Sequence, residues 1–388
     1  MKILFWFSAA MIFYTYAGYP LLLGFVAEFF ERKVRKGPYE PRVSIILSAF
    51  NEEKYIEKKL LNLLNLDYPE DKYEILVGSD GAGDATDAII SKFRSPRIRF
   101  FRFVTNLGKP HVVNALVEEA SEAILVFTDA RQALSRNAIR ALAQNFYDPA
   151  VGCVSGELHF RNVPQTGVAG GMDLYWRYEK FLRRRESEIG SMLGATGALY
   201  AVRRSLFTPI PVDILVDDMY LPLAVIRQGY RVVFESEASA YDQVSQKGRE
   251  EFKRKVRTLT GNYQIFWRLP HLFDPFGSSV AWQLFSHKFL RLMVPFFLAG
   301  LLIADLALLK SPGFQLFFLL QILFYSLALW EAFKDFYTDR SKKSWGRASR
   351  KGMSQVAYTF CLLNYSAFVA LIQSLKKKTL ATWEKAYV

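Results

Sequence analysis

The chain has 388 residues, 51% hydrophobic and 15% aromatic, with two cysteines, four histidines and a formal net charge of +13. Cys153 and Cys361 lie far apart in apolar sequence, which argues against a disulfide framework, and the histidines show no paired spacing for a His-built metal site. The positive charge gathers beside apolar segments, from Glu31 to Lys36 and from Arg340 to Lys351, as expected for a membrane protein rather than a nucleic-acid binder.

From Ile3 to Ala27 no residue is charged, and such a stretch crosses a hydrocarbon core of roughly 30 Å as one helix. Its basic run follows rather than precedes it, so residues 1–36 are expected to be an uncleaved anchor and its flank, carboxyl end in the cytoplasm. Residues 37–265 then alternate strand-like runs (Val43 to Leu47, Glu74 to Gly78, Ile98 to Phe103, Ala123 to Thr128) with helical spacing such as Ile56, Leu60, Leu63 and Leu64. That alternation predicts an α/β domain with a doubly wound, mostly parallel sheet. Leu174, Tyr175, Tyr178, Phe181 and Leu182, beside Arg183, Arg184 and Arg185, read as a packed helix with a solvated basic face.

Residues 266–290 place Phe266, Trp267, Phe273, Phe276 and Trp282 among Pro270, Pro275 and Gly277, a composition suited to the headgroup level of a bilayer. Residues 291–388 hold about three further apolar segments. Leu292 to Leu309 carries one charge, Asp305, and a Lys310 to Gly313 link joins it to the uncharged Ser311 to Trp330 as a helical hairpin. Gly352 to Leu375 is uncharged but contains Ser354, Gln355, Thr359, Asn364, Tyr365, Ser366 and Gln373. If it spans, Lys376, Lys377 and Lys378 fall outside, against the positive-inside rule; a re-entrant or interfacial segment is the alternative.

Polar residues follow the predicted strands. Asn51 and Glu52 end the first, and Asp80 ends the second in a turn with Gly81 and Gly83. Carboxylates at the carboxyl edge of a parallel sheet suit nucleotide binding, although Asp and Gly are also ordinary turn residues. Gly108 and Lys109 follow the third strand and suit a phosphate. Asp129 ends a fully apolar strand, a place for a divalent cation shared with diphosphate oxygens. Asp217 and Asp218 form a carboxylate pair, with helix capping as the structural alternative for Asp217.

In order and spacing these phrases resemble family 2 nucleotide-sugar glycosyltransferases of GT-A fold, over roughly Pro41 to Trp267, with flanking helices similar to those of cellulose and hyaluronan synthases. The resemblance implies that Ala49, Asn51, Glu52 and Asp80 hold the nucleoside, with Lys109 also in the nucleotide-sugar site. The metal motif falls on Asp129-Ala130-Arg131, the acceptor-side motif on Gly197 to Arg204, and the catalytic phrase on Val216-Asp217-Asp218. It further implies a nucleotide-sugar donor, taken as a UDP-sugar, a lipid-linked or glycan acceptor, and Mg²⁺ or Mn²⁺ at Asp129. Asp218 would be the base of an inverting transfer, with Asp217 raising its pKa. Arg131 replaces the second metal-motif carboxylate and would neutralise diphosphate directly. The Gln and Trp of the processive signature are missing around Arg257, which would still contact diphosphate. An integral protein of a bacterial or archaeal plasma membrane is expected, its catalytic domain cytoplasmic. The alternatives are a processive synthase with coupled export, Gln315, Gln321 and the polar face of Gly352 to Leu375 leaving room for a channel, and an inactive nucleotide-sugar-binding scaffold.

Overall fold

The computed structural model describes residues 1–161, 167–243, 248–341 and 352–376. The basic run at 342–351 and Lys377 and Lys378 lie outside the described residues.

Helices α1 (Lys2–Phe13) and α2 (Tyr19–Phe29) join through a π-helical turn, Tyr14–Gly18, into one apolar helix. Next come β1 (Val43–Ala49), α3 (Ile56–Leu64), β2 (Tyr73–Asp80), α4 (Thr86–Ile90), β3 (Ile98–Phe103), α5 (Lys109–Glu119) and β4 (Ile124–Asp129). They are followed by β5 (Ala133–Leu134), α6 (Ala138–Asn145), β6 (Val151–Arg161), α7 (Gly167–Ile189), β7 (Tyr200–Arg203), α8 (Asp217–Arg227), β8 (Arg231–Gln243) and α9 (Gly248–Arg268). The chain ends in α10 (Ala281–Gln283), a second π-helical turn (Leu284–Phe289), α11 (Leu290–Ala307), α12 (Pro312–Ser341) and α13 (Met353–Leu375).

The eight strands among the described residues form one sheet in the order β3-β2-β1-β4-β7-β6-β8-β5. Strands β1 to β4 pair in parallel and β6 pairs in parallel with β8, whereas β7 runs antiparallel to both β4 and β6. The central strands are apolar on both sides because both faces are covered. Ile45, Leu47, Val77 and Val126 enter one core, while Ile46, Leu76, Leu125 and Phe127 enter the other. Register places Phe127 opposite Tyr200, and the two rings stack 4.8 Å apart.

Among the described residues four helices are long and apolar enough to cross a membrane: Lys2–Phe29, Ala281–Ala307, Pro312–Tyr337 and Met353–Leu375. The first runs against α10 and α11, with Phe7 on Phe297 and Tyr14 on Ser286, so that the two π-turns face each other. Helix α13 lies alongside α9, with Tyr365 stacked on Phe252 and Gln373 reaching Thr260 at 3.5 Å. Its polar residues Gln355, Thr359 and Asn364 are buried, and a methyl at Gly171 of α7 would overlap the Thr359 hydroxyl. The α7 face that sequence reads as solvated is only partly so: Arg184 is exposed, but Glu179 and Glu186 are buried against the apolar helices.

Candidate active site

The loops after β1 and β2 interlock at the carboxyl edge of the sheet. Asn51, at a positive φ of 52°, accepts the Gly83 amide at 2.7 Å, and the Glu52 amide donates to Thr86 Oγ1 at 2.8 Å. Asp80 is fully buried, and its two oxygens accept the amides of Leu107 and Gly108 at 2.8 Å each. Gly108, at φ 90°, supplies a turn that a side chain would strain, aiming its amide at Asp80 and starting α5 at Lys109. Asp80 is therefore engaged in building the loop that presents Lys109. Ala49, buried in the core and paired with Ser79, ends β1 just before this loop.

Lys109 Nζ lies 3.1 Å from Asp129 Oδ1 and 3.1 Å from Asp217 Oδ2. Burial alone would lower its pKa, but Asp129, Asp217 and Asp218 outweigh that and raise it, so the ammonium is held charged. Tyr200 donates to Asp217 Oδ2 at 3.3 Å. Helix α8 begins at Asp217 without a side-chain cap, which corrects the capping alternative: the carboxylate faces Lys109 and Tyr200 instead.

The Gly197 amide donates to Asp218 Oδ2 at 3.1 Å, and the Asp218 carbonyl accepts the Ala195 amide at 2.7 Å. A Cβ on Gly197 would sit 3.3 Å from Asp218 Oδ2 and 3.6 Å from Asp129 Oδ2, so the glycine lets both carboxylates approach one spot. Burial, then the neighbouring Asp217, push Asp218 up to about 6, with Lys109 and Arg183 opposing. A carboxylate poised there is deprotonated near neutral pH yet basic enough to take a proton.

Arg131 lies 3.5 Å from Glu52 and 5.5 Å from the Tyr55 ring, so its guanidinium is already engaged by the loop after β1. Arg257 is exposed on α9, 3.5 Å from the carbonyl of Leu215, beside the Asp217 segment rather than within the carboxylate cluster. Lys59 was not singled out by sequence. Its ammonium donates to Thr128 Oγ1 and to the Gln132 carbonyl, both at 2.7 Å, bracing the Asp129 turn. Burial lowers it to about 7 against the opposing charge of Asp129. The signal was available: Lys59 stands three residues after Ile56, on the apolar stripe of its helix.

Among the described residues no group of three or more His, Cys, Asp or Glu could hold a metal by itself. Asp129, about one-third exposed, offers one hard carboxylate, so a divalent cation here fits only as one shared with a diphosphate and water.

A sheet edge carrying these carboxylates, with apolar helices on both sides in sequence, defines a GT-A-like domain joined to candidate membrane spans. The chain matches the Glycosyl transferase family 2 model over residues 44–209. It is 23% identical over 233 residues to a poly-beta-1,6-N-acetyl-D-glucosamine synthase of Staphylococcus epidermidis, a match covering 58% of this chain and 56% of that protein. It is 24% identical over 264 residues to the probable glycosyltransferase YdaM of Bacillus subtilis (strain 168), covering 64% and 62%. The chain thus spans less than two thirds of the length of these relatives. In fold it is similar to the mannosyltransferase PcManGT from Pyrobaculum calidifontis, solved with GDP-Man and Mn²⁺, with a TM-score of 0.73 and 22% identity, covering 97% of this chain and 99% of that one.

Proposed function

We propose that the chain is a membrane-bound inverting transferase that moves one sugar from a nucleoside diphosphate sugar to the hydroxyl of a lipid-linked or glycan acceptor. The observation carrying this reading is Asp218, pushed up to about 6 and sharing the Gly197 spot with Asp129. The acceptor hydroxyl yields its proton to Asp218 as its oxygen bonds to the anomeric carbon. The bond to the diphosphate breaks on the opposite face, and the departing oxygen keeps the electron pair. Lys109 meets the charge that grows on the diphosphate and is already paired and fixed before reaction. Mg²⁺ or Mn²⁺, held by Asp129 and the diphosphate, supplies further charge when bound; the Mn²⁺ of the similar mannosyltransferase supports this. Arg131 serves by ordering Glu52 and Tyr55 at the donor loop. The names of the N-acetylglucosamine-transferring relatives favour a UDP-sugar donor. The basic run after the first helix supports a cytoplasmic catalytic domain in a plasma membrane.

Single transfer is favoured over processive export by the use of the polar helix residues. The Thr359 side chain packs at Gly171 of α7, and Gln321 pairs with Asp305 between α11 and α12, so these two are taken up in contacts between helices. The assembled Lys109, Asp129, Asp217 and Asp218 speak against an inactive scaffold. Thermal shift with UDP-N-acetylglucosamine, other UDP-sugars and GDP-mannose, with and without Mn²⁺, tests donor binding, since a ligand of the native state raises its melting temperature. A UDP-sugar should give the largest shift, and no shift with any nucleotide sugar would refute the reading. Product length after incubation with labelled donor and membrane extract should show one added sugar, and a ladder of products would restore the processive alternative.

A further inference from the structure

Helix α13 is long and apolar enough to cross a membrane, yet parts of the chain that belong on one side of it hold α13 along its length. Helix α11 begins beside α7, where Arg291 pairs with Glu179, and its 18 residues carry the chain about 27 Å away from the catalytic domain. Helix α12 brings it back. Glu331 and Asp335 lie about 28 Å or more along α12 from Pro312, and Ser354 and Tyr358 at the start of α13 donate to them at 2.9 and 3.2 Å. One residue later Thr359 packs on Gly171 of α7. Toward the other end Tyr365 stacks on Phe252, and Gln373 accepts from Thr260 at 3.5 Å. The spacing is the same on both helices, so α13 runs parallel to α9.

That part of α9 contains Lys253, Arg254, Lys255 and Arg257. So many cations in a short segment keep it out of hydrocarbon, and α13 beside it stays at the same level. Fastened to the domain's side at residues 354, 359 and 373, α13 has no end left with which to reach the far surface. The helix is also two-faced. Gln355, Thr359 and Ser366 are buried, whereas Tyr365, Phe368, Ile372 and Leu375, at i, i+3, i+7 and i+10, form an exposed apolar stripe. Helices of this kind lie in the plane of a bilayer surface, with the apolar face sunk roughly 5–10 Å into the boundary between headgroups and acyl chains.

We propose that α13 is a membrane-surface helix and not a fourth crossing, its stripe resting on the leaflet that faces the catalytic domain. Lipid is the partner because the stripe continues onto α11, where Phe368 packs on the exposed Phe296, and because exposed Lys376 follows at its end, suited to anionic headgroups. Three crossings remain. Lys376 then lies on the same side as Arg32, whose amide donates to the Glu188 carbonyl of α7, so basic residues after the first and last apolar helices share one surface, as the positive-inside rule favours. This placement does not depend on what the domain transfers.

Single cysteines in a Cys361→Ala background, which keeps only the buried Cys153, test the side on which α13 ends. In sealed membrane vesicles of either orientation, a membrane-impermeant maleimide should label Lys376→Cys together with Lys54→Cys of the catalytic domain. Lys310→Cys, in the link between α11 and α12, should label only from the opposite side. Labelling of Lys376→Cys together with Lys310→Cys overturns the proposal. Depth gives a second measurement. Spin labels on Val356→Cys and Leu375→Cys, read by oxygen and nickel accessibility, should lie within about 10 Å of each other along the membrane normal, whereas a crossing helix separates them by about 28 Å. A separation of that size overturns the proposal even if Lys376→Cys fails to react.

Discussion

Charge is fixed in two different ways in the two halves of this molecule. In the parallel half of the sheet, polar side chains are pinned by backbone: the Asp80 carboxylate takes two amides of the next loop, and the Asn51 side-chain carbonyl holds the amide of Gly83. In the half that meets the apolar helices, side chains pin one another, as Glu179, Arg291, His287 and Glu186 do. A backbone-pinned group keeps its geometry whatever its neighbours' protonation, whereas a network of side chains responds collectively to the loss of any member. Lys109, Asp129, Asp217 and Asp218 lie at the join: a backbone-built loop delivers the cation, and side-chain charge sets the base.

The largest expected effect tests that join. Asp218→Asn should lower transfer about 10²- to 10⁴-fold with donor affinity kept. In wild type, transfer should fall as pH drops through about 6, because the base must be ionised. The folded-state pKa of Asp218 is raised, so its contribution to stability is full below the ordinary carboxylate value of about 4 and is lost as pH rises to about 6. The asparagine variant should melt above wild type at pH 7.5, by less at pH 5, and a lower melting temperature at pH 7.5 would contradict the burial argument. Next, Lys109→Met removes two ion pairs from a mostly buried site and should cost about 3 kcal/mol in chemical denaturation. It should also shift the acid limb of transfer to higher pH, since Lys109 holds Asp218 down.

Two isosteric changes sharpen the contrast. Thr128 Oγ1 donates to the Ala198 carbonyl at 2.8 Å and accepts from buried Lys59, so Thr128→Val should cost about 2 kcal/mol by unfolding midpoint. Thr359 Oγ1, buried without a partner, packs on Gly171, so Thr359→Val should change stability by less than about 0.5 kcal/mol. Equal costs in the two variants would erase the distinction between the halves.

The first half was the more legible in sequence. Its strands are short apolar runs bounded by turn residues, and the expected Val43 to Leu47, Glu74 to Gly78, Ile98 to Phe103 and Ala123 to Thr128 lie within a residue of β1, β2, β3 and β4 or inside them. Strands β6 and β8 were not legible because they reach 161 and 243 through polar and charged residues, where pairing with each other outweighs local pattern. Asp129, Asp217 and Asp218 could be found from their places after apolar runs, but their sharing of Lys109 could not, since it depends on β7 inserting antiparallel beside β4. The buried face of α7 went unread because Glu179 and Glu186 look solvated until His287 and Arg291, about a hundred residues later, are brought against them.

The paired π-turns, Tyr14–Gly18 and Leu284–Phe289, have a geometric consequence. Each widened turn accommodates one residue beyond the α-helical count, and one residue turns a helix by about 100°. The outer part of each helix is thereby out of phase with the inner part. Phe7 and Phe297 meet on one side of the turns, while Tyr19 and His287, at or beyond them, are swung to a different bearing, toward Glu186 of α7. The pair acts as a phase shift along these two packed helices, allowing one end to follow the spacing that helix-to-helix packing demands and the other to follow the catalytic domain, with neither register imposed on the other.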